Sequence, residues 1–271
     1  MIVYRCTDSA ESVFTAVYRA YQEKRNHEET FVSLTDDPVL FAEDVPVKPD
    51  PEKAQKVVNT LVRRFGEDDY VHLCMALASD QEDRAQAVYR TVVDGLGRKC
   101  PRGHLFDSLA NDYVHRAFAL ARGVSREAER QKQFLRFQEL ESGLMYARIG
   151  PKNNVMAFIM PHFADRLPIV NFAVHDEKHS LFGIHPAGGQ WYLLQGEGVE
   201  GPIRLQLSQE EGEYQELFRQ LCRSITIDQR KNWKLQRNML PLRFREYMVE
   251  FDSGDKVSSC TSWPRSGLRR E

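Results

Sequence analysis

The sequence has little cysteine, and what it has is scattered. Cys6, Cys74, Cys100, Cys222 and Cys260 are odd in number, widely spaced and without a C-x-x-C pair. This excludes a disulfide scaffold, a zinc ribbon and a cysteine-ligated iron–sulfur cluster within the chain, and predicts free thiols in a reducing, cytoplasmic compartment. Long apolar runs are also missing. No stretch of about 18 uncharged apolar residues occurs, so no membrane span is expected. Met1-Ile2-Val3-Tyr4-Arg5-Cys6 lacks the basic-then-apolar pattern of a secretion signal and alternates like a strand. Excess charge of either sign is absent: the formal net charge is −2. A global polycation is excluded, and any nucleic-acid surface must come from local segregation of charge. No phosphate loop is present, so Gly95-Leu96-Gly97 and Gly196-Glu197-Gly198 read as turns.

What remains is a globular composition, 42% hydrophobic and 28% charged over 271 residues, enough for a core and a wetted surface. After the first strand, Asp8 or Ser9 can cap a helix whose Phe14, Val17, Tyr18 and Tyr21 form one stripe. A polar loop then runs to Asp36-Asp37-Pro38, and Pro46, Pro49 and Pro51 make a second break. Helices are predicted at 52–65, 68–78 and 81–94. A longer one is predicted from 107 to 140, with a break near Gly123 and an end at Gly143. From 144 the period shortens. Strands are predicted at 144–149, 155–159, 169–174, 180–184 and 190–194, with short links that favour antiparallel pairing. Ser208 can cap a further helix carrying Tyr214, Leu217, Phe218 and Leu221 on one face. The expected class is α+β: a mainly helical region with a first short strand over 1–100, and an α+β domain over 101–251. That domain is a mostly antiparallel sheet of about five strands flanked by helices. Residues 252–271, poor in apolar side chains, are expected to be a disordered tail.

The strongest local signal is basic. Between Arg219 and Arg245 lie eight Lys or Arg and one acid, Asp228, with Trp233 among them. Cations attract phosphates at any sequence, and exposed aromatics stack on bases. Arg230, Lys234, Arg237 and Arg243 are the candidate phosphate contacts. Gln236, Arg237 and Asn238 could read base edges, or could hold backbone at a helix end. A solvated helical face is the plainer alternative for the whole segment, and an acidic protein partner is another. Arg148 joins the candidate binding residues from the predicted strand at 144–149. A second basic series from Arg116 to Arg136 is diluted by Glu127 and Glu129.

Pro161-His162-Phe163-Ala164-Asp165-Arg166 is the second signal. It reads as a helical turn between two strands. His162 could move a proton or bind a phosphate, and Arg166 offers a forked donor. Asp165 or Asp176 could orient either one, which makes His162, Asp165 and Asp176 the catalytic candidates. An Asp–Arg pair that merely braces a strand junction is the alternative. His175 and His179 are spaced as in H-E-x-x-H, but on a hairpin turn and with Lys178 between them, so no metal or other cofactor is assigned. Cys222 beside Arg219 and Arg223 lacks a positioned base.

Together these motifs resemble a known pattern. Phe134-Leu135-Arg136-Phe137, Gly143 through Ala147 with Ile149 and Pro151, and Asn154-Val155 form its opening. His162 through Leu167 is its most specific part, and His175-Asp176 follows. Arg230, Asn232, Leu235 through Asn238, Pro241, Arg243 and Glu250 form its close. The chain resembles a bacterial family of DNA metabolism proteins, well over 110–250 and more loosely before. Its members are encoded beside a radical SAM protein assigned to DNA modification or repair. The C-terminal module also occurs fused to uracil-DNA-glycosylase-like domains. Where the resemblance leads one to expect a basic residue after the aspartate turn, this chain has His179 behind Lys178. The resemblance implies an accessory chain working on DNA with a radical SAM partner, since no C-x-x-x-C-x-x-C occurs here. Two other readings stand beside it: a DNA-processing enzyme, glycosylase- or lyase-like, using His162 and an aspartate, and a protein-only scaffold for the radical SAM partner.

Overall fold

A computed structural model describes residues 1–196 and 206–251; the expected tail at 252–271 and Glu197-Gly198 lie outside the described residues. The chain opens with β1 (Ile2–Cys6), α1 (Ala10–Gln22), β2 (Thr30–Ser33) and β3 (Glu43–Val47). The three strands form a parallel sheet in the order β2-β1-β3. The sequence pattern revealed only β1. β3 carries two acids and Pro46 in five residues, which an edge strand tolerates because one side of its ladder needs no donors. Ser9 caps α1, its hydroxyl accepting from the Ser12 N–H. Three helices follow, α2 (Pro51–Phe65), α3 (Glu67–Leu77) and α4 (Arg84–Gly97). They fall close to the predicted spans. Asp50 caps α2 and Pro51 opens it. Gly95 and Gly97 are not a turn but the last residues of α4. A Cβ on Gly95 would collide with Leu105 and Phe65, so this glycine marks a close approach rather than a helix end.

α5 (Asp112–Phe134) runs unbroken through Gly123 and stops earlier than its apolar pattern predicted. Leu135 is extended and Gln138–Glu139 is β4, so Phe137 and Leu140 leave the helix; Phe137 packs on the second core region and Leu140 forms a small separate cluster with Tyr146 and Ala173. Gly143 sits at φ +75° in the turn from β4 to β5 (Met145–Ile149), where it permits a left-handed residue. The remaining strands are β6 (Phe172–Asp176), β7 (Leu181–His185) and β8 (Tyr192–Gln195), in sheet order β4-β5-β6-β7-β8. β5 and β6 are parallel; every other pairing in this sheet is antiparallel. The parallel pair requires a crossover, and α6 (Met156–Arg166) supplies it. The predicted strand at 155–159 is therefore a helix. Its all-apolar run carries no period of its own. The helical signal is Met156, Ile159, Met160 and Phe163, all buried, at spacings of three, four and seven. Gly183 lets β7 approach that face, and a Cβ there would strike Met160.

α7 (Gln209–Ser224) begins at its predicted cap, with Ser208 accepting from the Glu211 N–H. α8 (Trp233–Met239) and α9 (Leu242–Arg245) complete the described chain. Among the described residues, no helix is long and apolar enough to cross a membrane.

The first core region contains Val114, Ala117, Leu120 and Ala121 from α5. The second contains Val124 and Ala128 from the same helix. One carboxylate on that helix ties the second region together. Glu127 is 3% exposed. It accepts the N–H groups of Lys152 and Asn153 at 2.9 Å each, and the Asn153 amide at 2.6 Å. It also pairs with Arg243 of α9 at 2.9 Å. Asn153 in turn accepts the Asp80 N–H at 3.1 Å, which fastens the loop before α6 to the α3–α4 connection. Removing the carboxylate strands three N–H donors, two of them buried, and a cation. Glu127→Ala is expected to lose about 3–5 kcal/mol, the scale of a broken buried charged network, and Glu127→Gln less. Urea unfolding monitored by circular dichroism measures both.

Candidate nucleic-acid interface

Two groups of cations stand out in this half of the chain. One is paired with carboxylates inside the fold. Arg243 pairs with Glu127. Arg136 pairs with Glu250 at 3.0 Å and Arg148 with Glu177 at 3.2 Å. Tyr247 donates to the other Glu177 oxygen at 3.3 Å. Arg136–Glu250 and Arg243–Glu127 clamp the C-terminal segment onto the body, which accounts for Arg136, Arg243 and Glu250 of the motif without a ligand. Arg219 also turns inward, bonding Gln215 and the Val249 carbonyl.

The second group lines an open groove of about 750 Å³ between the end of α7, α8 and the residues after α9. Arg223, Arg230, Lys231 and Arg245 supply its charge, and Trp233 and Phe251 its rings. Trp233 is 64% exposed. Arg245 stacks on Phe251 at 4.9 Å, and its buried Nε has no hydrogen-bond partner among the described residues. No described residue lining this groove is acidic. Gln236 of the predicted base-reading trio faces the groove; Lys234, Arg237 and Asn238 are exposed on α8 but do not line it. Asn232 caps α8 through its side-chain oxygen, which accepts the Leu235 N–H. A second opening of about 560 Å³ adjoins, sharing Arg223, Thr226, Gln236 and Phe251 and adding Arg219, Cys222, Ile225 and the acid Glu250.

The His162 motif lies elsewhere. His162, Asp165 and Arg166 are on the last turns of α6, with His162 half-buried and the other two exposed. His162 packs edge-on to Phe163 at 5.2 Å. No side chain of the three makes a hydrogen bond or ion pair with another described residue, and none lines the groove. The expected brace between Asp165 and Arg166 is not formed. Asp176 is fully buried and serves the β6–β7 turn. It accepts the N–H groups of Lys178 and His179 at 3.1 and 3.2 Å, and pairs with His179 Nδ1 at 2.6 Å. Its partner is therefore His179, not His162.

His175 is likewise engaged within the fold. It stacks on Phe182 at 4.1 Å, and its Nδ1 lies 2.9 Å from the Tyr146 hydroxyl. Burial pushes that phenol up to about 12, so it keeps its proton and can donate to a neutral imidazole. Among the described residues, no group of three His, Cys, Asp or Glu could hold a metal.

With this geometry in place, the comparisons bear on the C-terminal part. A family model described as a domain of unknown function, DUF4130, matches residues 82–250, more than half of the chain. The chain belongs to the DUF4130 family. The match begins just before α4, so the parallel sheet of β1, β2 and β3 precedes it, while the five-stranded sheet and the groove residues other than Phe251 lie within it. No curated protein and no solved structure matches the chain. Sequence reasoning missed Glu127, read as dilution of a basic series. Its signal was its place on the buried stripe of α5, beside Val124, Ala128 and Gln131.

Burial holds the pKa of His175 below the usual histidine value, and burial and Arg90 do the same for His27. The unfolded chain therefore takes up these protons at a higher pH than the folded one. Their contribution to stability is full above about pH 6.5, the unfolded value, and is lost as pH falls through the folded values. The melting temperature is expected to fall on acidification below neutrality. A differential-scanning series on wild type and His175→Gln should show a shallower fall in the variant.

Proposed function

We propose that the protein is a nucleic-acid-binding accessory chain in DNA repair or modification. The groove of Arg223, Arg230, Lys231 and Arg245 around Trp233 is its contact surface. The carrying observation is the combination, in one open groove, of cations with no acidic lining residue and a largely exposed tryptophan. Cations neutralise phosphates and release counterions; an accessible indole stacks on any base. Both features suit a single-stranded or unpaired segment, whose bases are available to stack. The assignment to DNA and to a radical SAM partner rests on the family resemblance.

Fluorescence anisotropy with a labelled single strand tests this. Binding is expected to weaken with salt, with a log–log slope near 0.7 per phosphate neutralised. Trp233→Ala is expected to lose about five- to a hundredfold, the range for one stacked base, and Arg230→Ala to lower the salt slope. His162→Ala should leave binding intact. Wild-type affinity in the Trp233→Ala, Arg230→Ala double variant would exclude the groove.

A protein partner is favoured by a separate observation. α7 presents Glu211, Gln215, Arg219 and Cys222 toward the body and leaves Tyr214, Leu217, Phe218 and Leu221 exposed, Tyr214 by 73%. A surface helix ordinarily buries its apolar stripe, and a contiguous exposed one marks an interaction surface. In this reading the stripe receives the radical SAM protein. Leu217→Glu should abolish co-purification of the two chains after nuclease treatment while single-strand binding is retained. Undiminished co-purification would remove the stripe from the interface.

A further inference from the structure

A second cleft, away from the groove, carries the elements of an anion site. It measures about 460 Å³ and lies at the carboxyl end of β1, where the parallel sheet meets the β6–β7 turn and the start of α6. In open parallel sheets this end of the strands, at the point where connections diverge to either side, is where ligands bind. β1 is the central strand, and its neighbours β2 and β3 both follow it in the chain.

Three helices begin at this cleft. Ser9 and Ala10 of α1, Arg84 of α4, and Asn154 and Ala157 of α6 line it. α4 and α6 have no side-chain cap, and α6 has no acid in its first turn. The backbone N–H groups of Ala10 and Ala157 make no hydrogen bond to another described residue. Open N–H groups at helix starts, reinforced by the helix dipole, favour a negative charge in front of them.

The side chains give the independent indication. Arg84 is 8% exposed, and its buried Nε has no hydrogen-bond partner. Its other two nitrogens are occupied, one by the Gln81 carbonyl and one by Asp8 at 2.6 Å. Asp8 is itself mostly in solvent, its side chain 76% exposed. The Nε–Nη2 edge of the guanidinium, which suits a forked contact with phosphate, is therefore half-used, and by a group free to turn away. Lys178 extends from the β6–β7 turn into the same lining; its ammonium donates to the Lys152 carbonyl at 2.8 Å and lies near enough to Asp80 to help hold that carboxyl below its usual range. The other acid of the lining, Asp80, is engaged by Lys152 at 3.2 Å. Leu77, Phe158 and Leu193 give the cleft an apolar wall. Its volume falls in the range of small-molecule sites, about 300–1,000 Å³.

We infer that this cleft binds a phosphate-bearing small molecule of mononucleotide size. Its phosphate sits on the Nε–Nη2 edge of Arg84 and Lys178 at the starts of α1 and α6, and displaces Asp8 from Arg84. The remainder of the ligand lies on the Phe158–Leu193 wall.

Isothermal titration of the full chain at low salt tests this with AMP and inorganic pyrophosphate as anionic probes, and adenosine as the uncharged control. Saturable binding of at least one anion is expected, and none of adenosine. Lys178→Ala should weaken anion binding about tenfold, the loss of one charge-assisted bond. Asp8→Asn, a change at an exposed side chain, should tighten it several-fold by freeing the guanidinium edge. Trp233→Ala in the distant groove should leave it unchanged. Absence of saturable binding by both anions overturns the inference, as does binding that responds to neither Lys178→Ala nor Asp8→Asn. A loss on Trp233→Ala would move the anion to the nucleic-acid groove and overturn it too.

Discussion

A single buried carboxylate organises the C-terminal half of this molecule. Glu127 stands on the face of α5 that otherwise carries Val124 and Ala128, and a bare charge there would be costly to bury. The fold surrounds it with three N–H donors from Lys152 and Asn153 and the guanidinium of Arg243. The donors come from two parts of the chain: the three N–H groups from the loop that starts the β5–α6–β6 crossover, and the guanidinium from the short helix α9. The crossover cannot start where it does, nor α9 lie where it does, unless these groups meet at one point. Buried networks of this kind fix geometry more surely than they add net stability.

That constraint shapes the charge at the surface. The cations of the C-terminal half are not one uniform patch. Arg243 is consumed by Glu127, Arg136 by Glu250, and Arg148 by Glu177. The first two pairs hold the last described residues, Arg243 and Glu250, against the body and so support the groove; the third ties β5 to the β6–β7 turn. Arg223, Arg230 and Arg245 can therefore face an open groove because other arginines anchor its floor. Mixed roles within one basic run explain why a count of lysine and arginine overstates a polyanion surface, while the aromatic between them locates it.

The legible parts of the sequence were those with a local physical signature. Ser208 and Ser9 announced helices through their capping oxygens, and the four visible strands of the second sheet alternated or were bounded by turns. The failures share a cause: partners distant in the chain decided the outcome. Val155 through Ile159 is apolar throughout, so nothing local separates strand from helix. The parallel register of β5 with β6 demands a crossover there, and that demand is invisible until both strands are paired. β2 and β3 are four and five residues long and gain their strand character from β1. Phe137 continues a helical spacing past Phe134, yet it is drawn off by edge-on contacts with Phe163 and Phe172, one from the crossover and one from the sheet. The site was divided in the same way. Trp233 among cations could be read from order alone. The meeting of Arg84, Lys178 and the start of α6 joins residues some 70 and 90 positions apart, and no window on the sequence contains it.

The two concavities differ in the physics they offer. The groove is open, lined by long cations whose positions salt can screen, and its ring is accessible from solvent; it suits a flexible polyanion held at several weak points. The cleft is built from rigid elements: strand β1, three helix starts and a nine-tenths buried arginine with an unused nitrogen. Fixed donors of this kind lose little freedom on binding and favour one small, well-defined anion. Asp8 holds the guanidinium edge until a stronger acceptor arrives, which keeps a buried cation compensated in the free protein. A chain that carries both surfaces can engage a nucleic-acid strand on one side while a separate, smaller ligand reports at the junction of its two core regions. α5, which runs through both regions, is the rigid element that connects them.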